Sequence, residues 1–129
     1  MSVIARSAPM LSVLELDGVR LITLTSLRAL VDHDVSRRLT TLSLDGEGLD
    51  DLALVTVGAY AKALTVLRVS FCESLTDEAL LAISSLVSLT ELRLKKGAAL
   101  TDTGFMTLFS SPSRYVCVRE TGLHWTGFI

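Results

Sequence analysis

The chain has 129 residues, of which 50% are hydrophobic, 20% charged and 5% aromatic, with a formal net charge of −2 and a sequence pI near 5.6. This length and composition fit one domain with a continuous aliphatic core. The slightly acidic balance argues against a nucleic-acid binder that works through whole-domain electrostatics. No uninterrupted apolar run approaches the roughly 18 residues of a membrane span, so we expect neither nucleic-acid binding nor membrane insertion.

Residues 1–10, MSVIARSAPM, are too short and insufficiently apolar for a secretory signal. Their single arginine also makes a poor mitochondrial presequence. Two cysteines in a chain without a signal favour a reducing compartment. We therefore expect an intracellular protein of the cytoplasm or nucleus, with a mitochondrial location also compatible.

Five segments predict short strands along the chain. Four of them, LSVLEL from Leu11, LTTLSL from Leu39, LTVLRV from Leu64 and LTELRL from Leu89, follow the pattern LxxLxL, and a degenerate copy, SRYVCV, begins at Ser113. The second, third and fourth begin 25 residues apart, and the first begins 28 residues before the second. Because side chains alternate along a strand, the later leucines of each segment should face inward and the residues between them outward.

A helix is predicted after each of the first four strands. The segments are ITLTSLRAL from Ile22, LDDLALVTV from Leu49, LTDEALLAI from Leu75 and LTDTGFMTL from Leu100. Thr76 and Thr101 lie where a hydroxyl accepts a hydrogen bond from the first free helical N–H groups, and the acids that follow them favour a helix start. Apolar residues then recur at helical spacing. They are Leu80, Ile83 and Val87 in one segment and Phe105, Leu108 and Phe109 in the next.

One such unit buries too few aliphatic side chains to offset the conformational entropy that its folding removes. Neighbouring units must therefore pair their strands and share one core, as repeat proteins do. The sequence predicts an α/β fold with a parallel strand face and outer helices. Residues 1–129 would form a single domain of about four repeats and part of a fifth.

The stretch LTVLRVSFCESLTDEALLAI, residues 64–83, resembles the cysteine-containing class of leucine-rich repeats, whose unit reads roughly LxxLxLxxCxxLTDxGLxxLA. This class occurs in F-box/LRR proteins and in the antagonist of the mitotic exit network. The resemblance covers nearly the whole chain and implies a leucine-rich-repeat solenoid, a short horseshoe. It also implies noncatalytic protein binding, often as the substrate-recognition arm of a ubiquitin ligase. The other units carry Val19, Glu47 and Gly97 at the cysteine position, and no F-box precedes the repeats.

Cys72 lies in this stretch beside Glu73 and near Ser74 and Asp77, which raises the question of a reactive cysteine. The resemblance implies instead a buried residue whose thiol bonds weakly to loop backbone. We interpret Cys72 as a packing residue. Cys117 should lie about two repeats away, too far for a disulfide bond between the two cysteines.

Both ends of the sequence fall inside a repeat. Residues 1–10 occupy the frame of the second half of a helix and its exit loop, and LHWTGF from Leu123 matches LTDTGF from Leu100. A solenoid without end caps exposes core side chains and an unpaired strand edge. We therefore expect a partner subunit, or another copy of this chain, to cover at least one open end. The alternative is that the chain is a fragment or isoform of a longer protein, which would leave the same pattern. Trp125 and Phe128 are candidate contacts there, with Trp125 either filling the core of the end repeat or anchoring in a pocket of the partner.

The outward strand face is the other candidate binding surface. Its candidate partner-binding residues are Glu15, Asp17, Asp45, Arg68, Glu91, Arg93, Lys95, Tyr115 and Arg119. Acids dominate in the first two units and bases in the last three. Such a gradient would orient a partner of opposite polarity and speed its approach. The alternative is a solvated face whose charges have no role, which is ordinary for exposed strand positions.

Other chemistry has little support in the sequence. His33 lies between Asp32 and Asp34, but three consecutive residues rarely converge on one metal ion. GAYAKA, residues 58–63, lacks the pattern of a phosphate-binding loop. Basic residues do not alternate with aromatic ones as a single-strand nucleic-acid groove requires. We therefore expect no catalysis, no cofactor and no metal site.

Two functions follow from these observations. The first is a noncatalytic structural or accessory subunit held in a larger protein assembly, which the short length, the open ends and the lack of a second domain favour. The alternative is an exchangeable substrate-recognition adaptor or regulator of the F-box/LRR ubiquitin-ligase type. In both, the partner is a protein that covers the strand face or an open end, and self-association through the open ends is a further expectation.

Overall fold

The computed structural model describes residues 10–20, 22–32, 37–109, 117–121 and 125–128. Strands and helices alternate along most of these ranges. The strands are β1 Val13–Leu16, β2 Thr41–Asp45, β3 Val66–Ser70, β4 Glu91–Lys95, β5 Cys117–Thr121 and β6 Trp125–Phe128. The helices are α1 Leu24–Asp32, α2 Asp51–Tyr60, α3 Asp77–Ile83 and α4 Asp102–Phe109. The predicted α/β class is confirmed.

The strands form one six-stranded sheet in sequence order. Strands β1 to β5 pair in parallel, and β6 pairs antiparallel with β5. Leu42 pairs with Leu67 and Leu67 with Leu92, so each residue lies beside its counterpart 25 positions later. Leu14 pairs with Leu42, which is the predicted offset of 28. The number of residues in each sequence repeat therefore equals the offset between paired residues of neighbouring strands.

The predicted register of β5 is wrong by two residues. Glu91 pairs with Cys117 and Arg93 with Arg119, whereas an alignment of SRYVCV on the leucine pattern places Tyr115 beside Glu91. The degenerate segment lacks the leucines that fix the register of the earlier strands. Because side chains alternate with a period of two, a shift of two residues leaves the inward and outward sets of this strand unchanged.

The segment LHWTGF does not begin a helix, as its match to an earlier unit predicts, because Trp125–Phe128 form strand β6. Val118 pairs with Gly127 in the antiparallel ladder. An antiparallel neighbour needs only a short connection, and tryptophan, threonine and phenylalanine all favour strands. Strand β5 is therefore paired on both sides, and β6 replaces it as the edge strand at this end of the described sheet.

Inward leucines of the strands and apolar residues of the helices form one core. Leu67 and Leu92 in the strands and Leu80 in α3 are 0% exposed. Consecutive helices contact each other along the chain, α1 with α2, α2 with α3 and α3 with α4. Phe105 and Leu108 of α4 are buried as predicted, whereas the side chain of Phe109 lies outside the described ones.

Val87 is an exception to the predicted core. Its side chain is 60% exposed, and Leu86 is buried in its place. Helix α3 ends at Ile83, so residues beyond it no longer follow the helical spacing on which the prediction depends. Leu86 N–H instead bonds to the carbonyl of Ile83 at 2.9 Å in a turn, and this turn directs the next leucine inward.

Just before each of β2, β3 and β4, one carbonyl group of the preceding unit accepts several hydrogen bonds from the next unit. The carbonyl of Thr40 accepts the N–H groups of Thr65 and Val66 at 2.8 and 2.9 Å and the hydroxyl of Thr65 at 3.0 Å. Thr90 repeats this arrangement on Thr65, and Thr40 repeats it on Ser12. The threonine that follows the first leucine of these strands therefore supplies an additional donor between neighbouring units.

The predicted helix caps are confirmed and also connect neighbouring units. The hydroxyl oxygens of Thr76 and Thr101 accept N–H groups two and three residues later, at 3.4 and 3.3 Å. The N–H of Thr76 donates to Asp51 at 2.8 Å, and that of Thr101 donates to Asp77 at 2.9 Å. Each threonine hydroxyl donates to the other oxygen of the same carboxylate. An acidic residue in the first turn of one helix thus fixes the start of the next.

We predict that Leu54→Ala lowers the free energy of unfolding by about 2–5 kcal/mol, because it leaves a cavity in the shared core. The matched control is Leu52→Ala in the same helix, which should change it by less than about 1 kcal/mol. Leu54 is 1% exposed and Leu52 is 49% exposed. Chemical denaturation followed by circular dichroism measures both, and equal losses would contradict the placement of the core.

Candidate functional site

The described helices lie against only one side of the sheet. They contact one another in sequence and so form a single layer. The strand residues that face this layer are buried, whereas the alternate residues of β3 and most of those of β4 have intermediate exposure. Parallel sheets are usually covered on both faces. An uncovered side of a parallel sheet is therefore the first candidate for a functional surface.

We call this side the open face. Its outward residues are Val13, Glu15, Asp17, Thr41, Ser43, Asp45, Val66, Arg68, Ser70, Glu91, Arg93 and Lys95. Residues at the same position of successive strands form rows across it. One row places Glu15 beside Ser43, Ser43 beside Arg68 and Arg68 beside Arg93. Neighbouring strands are about 4.8 Å apart, so two arginines lie side by side, and the backbone of Arg119 continues the row in β5.

Four charged side chains of the open face form one network across β1, β3 and β4. Nη1 of Arg68 is 3.6 Å from Oε1 of Glu15, and its Nε is 3.5 Å from Oε1 of Glu91. Nε of Arg93 is 2.6 Å from the same oxygen of Glu91. Arg68 therefore spans the row position of Ser43, which is buried, to reach a strand that is not its neighbour. The side chains are 28% to 56% exposed, so a partner can still contact them.

The predicted gradient from acidic to basic units is weaker in the structure than in the sequence. Glu15 offsets part of the charge of Arg68, because the two side chains pair. Asp45 is only 5% exposed, and its Oδ2 accepts the N–H of Gly18 at 3.1 Å. The prediction that Asp45 faces a partner is therefore wrong, since its carboxylate supports the turn after β1. Asp17 accepts a hydroxyl hydrogen bond from β2 at 2.7 Å and remains exposed.

A cavity of about 180 Å³ opens on this face. It is lined by Asp17, Ser43, Arg68, Val69, Ser70, Arg93 and Lys95. Three of these side chains are cationic and one is anionic. Lys95 is exposed and has no ion-pair partner among the described residues. The cavity therefore suits a carboxylate or another acidic group, which charged donors bind more strongly than neutral ones.

A second cavity lies beyond the carboxyl ends of the strands, where the sequence made no prediction. It measures about 340 Å³ and is lined by Arg20, Glu47, Phe71, Glu73, Ser74 and Lys96. Phe71 and Lys96 each directly follow a strand and have φ values of 55° and 59°, an unusual conformation for bulky residues. Nζ of Lys96 lies 4.4 Å from the ring centroid of Phe71, a contact that stabilises both. Because the lining carries both signs of charge, it does not favour one class of ligand.

The sequence signal for this strained position was Gly18, which has φ of 83° at the corresponding place after β1. A glycine there indicates a turn that needs the left-handed region. Phe71 and Lys96 occupy the same turn in later units without that freedom. Gly46 lies at the same position after β2 and has no positive φ, so a glycine at this position of the repeat does not by itself identify the turn.

Several predicted residues lie outside the described side chains. Tyr115 and His33 are outside the described ranges, and Arg119, Trp125 and Phe128 are described by their backbone in β5 and β6. The two interpretations of Trp125 therefore stay predictions. Among the residues that the structure does describe, no group of three or more His, Cys, Asp or Glu side chains could hold a metal ion.

Cys72 occupies the buried place that the resemblance implies. Its side chain is 0% exposed, and it is not part of a disulfide. The thiol donates to the carbonyl of Lys95 at 3.2 Å, and the Cys72 N–H donates to the same oxygen at 3.2 Å. A buried thiol that donates to the backbone at the end of the next strand is positioned for packing and not for nucleophilic attack.

Neither the models of known protein families nor the curated proteins compared with this chain gave a match. No helix in the described part of the chain is both long and apolar enough to cross a membrane. We therefore infer the function from the repeat pattern and from the chemistry of the open face.

We predict that Cys72 reacts with Ellman's reagent only through global unfolding, because its thiol is inaccessible in the folded chain. The measurement uses a Cys117→Ser variant, so that only one thiol is read. Adding denaturant should raise the labelling rate in parallel with the unfolded fraction. Rapid labelling under native conditions, comparable to that of a free thiol, would contradict the packing role.

Proposed function

We propose that this chain is a noncatalytic leucine-rich-repeat solenoid that binds another protein through its open face. One observation carries the proposal: the parallel sheet has a side on which no described helix lies, and this side bears an ion network and a cavity of about 180 Å³. Repeat proteins use such extended surfaces for binding. Its charged rows suit recognition of a polar protein surface more than a buried small molecule.

Repeated contacts support the solenoid part of the proposal. The Thr65 and Thr90 hydroxyls bond to the preceding unit in the same way, and the Asp51 and Asp77 carboxylates each bind the following helix start. Each described unit contacts chiefly its neighbours, as expected for a one-dimensional array. The contact of Cys72 with the backbone of the next unit fits the cysteine position of the resembling repeat class. Its buried thiol also suits a reducing compartment, and we propose an intracellular location.

A subunit held permanently in a larger assembly is the first candidate, because the surface exposes many large apolar side chains. Those at least 40% exposed are Met10, Val13, Val19, Leu52, Val55, Tyr60, Phe71, Leu81, Val87 and Met106. Interfaces that are always formed are more hydrophobic than transient ones. A chain that spent much of its time alone would leave these side chains in water.

An exchangeable adaptor or regulator, as the F-box/LRR resemblance implies, is the second candidate. The ion network of the open face favours it, since exposed charges set association rate and salt dependence more than they add affinity. Such binding would weaken as salt screens the charges. Both candidates use the open face, and a permanent subunit would in addition bury exposed apolar side chains elsewhere on the surface, since only Val13 of those side chains lies on the open face. The two candidates also differ in how long the partner stays bound.

We predict that the double variant Arg68→Glu/Arg93→Glu loses the binding partner, because it reverses the two paired arginines at the centre of the open face. The amount of specifically copurifying protein, measured by quantitative mass spectrometry, should fall at least about tenfold. The matched control is Arg20→Glu/Arg28→Glu, which reverses two exposed arginines away from the open face. If both double variants retain the same partners as the unchanged chain, the open face is not the binding surface.

Washing the captured complex at high salt separates the two candidates. A permanent subunit should keep its partner at about 0.5 M salt, where the Debye length is only a few ångströms, and should be poorly soluble without it. An adaptor should release its partner under the same wash and remain soluble. Release of the partner with a well-behaved remaining chain would contradict the first candidate.

A further inference from the structure

A stripe of apolar side chains crosses the outer helices on the side of the molecule opposite the open face. Val55 in α2, Leu81 in α3 and Met106 in α4 are 44%, 59% and 59% exposed. All three are the seventh residue of their helical segments, counted from Leu49, Leu75 and Leu100 as the first residue. Single exposed apolar residues are normal, whereas the same position repeated on adjacent helices makes a continuous patch, which marks an interaction site.

A groove runs along this patch between α2 and α3. Its floor and sides are formed by Val55, Gly58, Ala59, Leu81, Ala82 and Ser85. The two helices approach closely, since a Cβ atom on Gly58 would lie 2.5 Å from the carbonyl oxygen of Ala82. Small residues therefore keep the groove shallow, and Leu81 projects beside it as the most exposed of its apolar side chains.

Opposite charges stand at the two ends of the groove. Glu78 lies in the first turn of α3 and is exposed. Lys62 follows α2, and its Nζ donates to the carbonyl of Ser85 at 3.3 Å, just beyond the carboxyl end of α3. Seven residues of helix separate these ends by about 10 Å. The groove along α3 thus has the carboxylate of Glu78 at one end, the ammonium of Lys62 at the other and an apolar centre.

This arrangement is complementary to itself. A two-fold axis that runs along the stripe turns the helices of a second copy antiparallel and keeps the stripes aligned, so that Leu81 meets Leu81. The same rotation places the ammonium of Lys62 opposite Glu78 of the other copy, and each contact occurs twice, as a two-fold interface requires. A parallel arrangement would instead place the two Glu78 carboxylates together. Charge complementarity therefore selects a second copy in antiparallel orientation.

We propose that the chain forms a two-fold dimer through its outer helix face, with α3 packed antiparallel on α3 of the second copy. The open face of each copy remains uncovered by this dimer. The proposed partner binding and the dimer therefore use separate surfaces, and the assembly presents two open faces. This inference does not depend on the function proposed for the open face.

The test is sedimentation velocity of the purified chain over a concentration series. The unchanged chain should shift from monomer to dimer, and Leu81→Glu should raise the dissociation constant at least about tenfold, because it places like charges at the centre of the interface. The matched control is Val87→Glu, since Val87 is 60% exposed but lies outside the groove. Its effect should stay within about twofold.

Charge exchange tests the orientation. Lys62→Glu and Glu78→Lys should each weaken the dimer at least about tenfold, because each puts like charges opposite one another. Combining them restores opposite charges and should return the dissociation constant to within about threefold of the unchanged chain. Circular dichroism checks that each variant is folded.

A monomer at every concentration overturns the proposal, as do equal effects of Leu81→Glu and Val87→Glu. A combined variant that dimerises no better than the single ones overturns the antiparallel arrangement. The variant Arg68→Glu/Arg93→Glu should dimerise normally, so loss of partner binding and loss of the dimer are separate results.

Discussion

The structure depends on one repeated hydrogen-bond arrangement, in which a backbone carbonyl of each unit accepts donors from the next. The carbonyl of Thr40 receives two N–H groups and one hydroxyl, and that of Thr65 receives the same set 25 residues later. A shift of either strand by one residue would lose the hydroxyl donor and turn the leucines away from the core. The arrangement therefore fixes the register between units, and the register decides which residues become neighbours across the sheet and across the helix layer.

Because the register is fixed, side chains at the same position of successive repeats lie next to one another and form a row on the surface. On the sheet this produces the row of Glu15, Ser43, Arg68 and Arg93, whose charges pair across strands. On the helices it produces an apolar stripe that includes Leu81. The two surfaces lie on opposite sides of the shared core and differ in chemistry. The open face is charged, and the stripe on the helices is apolar.

Most of the fold was predictable from local patterns. The alternation of leucines placed Leu92 in the core, and the capping preferences placed Thr76 and Thr101 at helix starts, which the structure confirms. The errors arose where a sequence pattern was applied to residues outside the element that produces it. Val87 was assigned to the core by helical spacing although the helix had already ended. The final segment matched a helix start by sequence, whereas the free edge of β5 favoured the antiparallel strand β6.

The sequence by itself determined the repeat length, the inward set of leucines and the helix caps, because each depends on backbone geometry within one unit and on spacing along the chain. Only the tertiary structure decided which charges meet. It paired Arg68 with Glu15 two strands away and buried Asp45 beneath the turn at Gly18. The spacing of residues along the sequence predicts which side chains share a face of the sheet. It does not predict which of them form ion pairs, because a long side chain such as that of Arg68 can extend over the small Ser43 to a strand that is not adjacent. Such pairs depend on the distances between strands, which a local sequence pattern does not give.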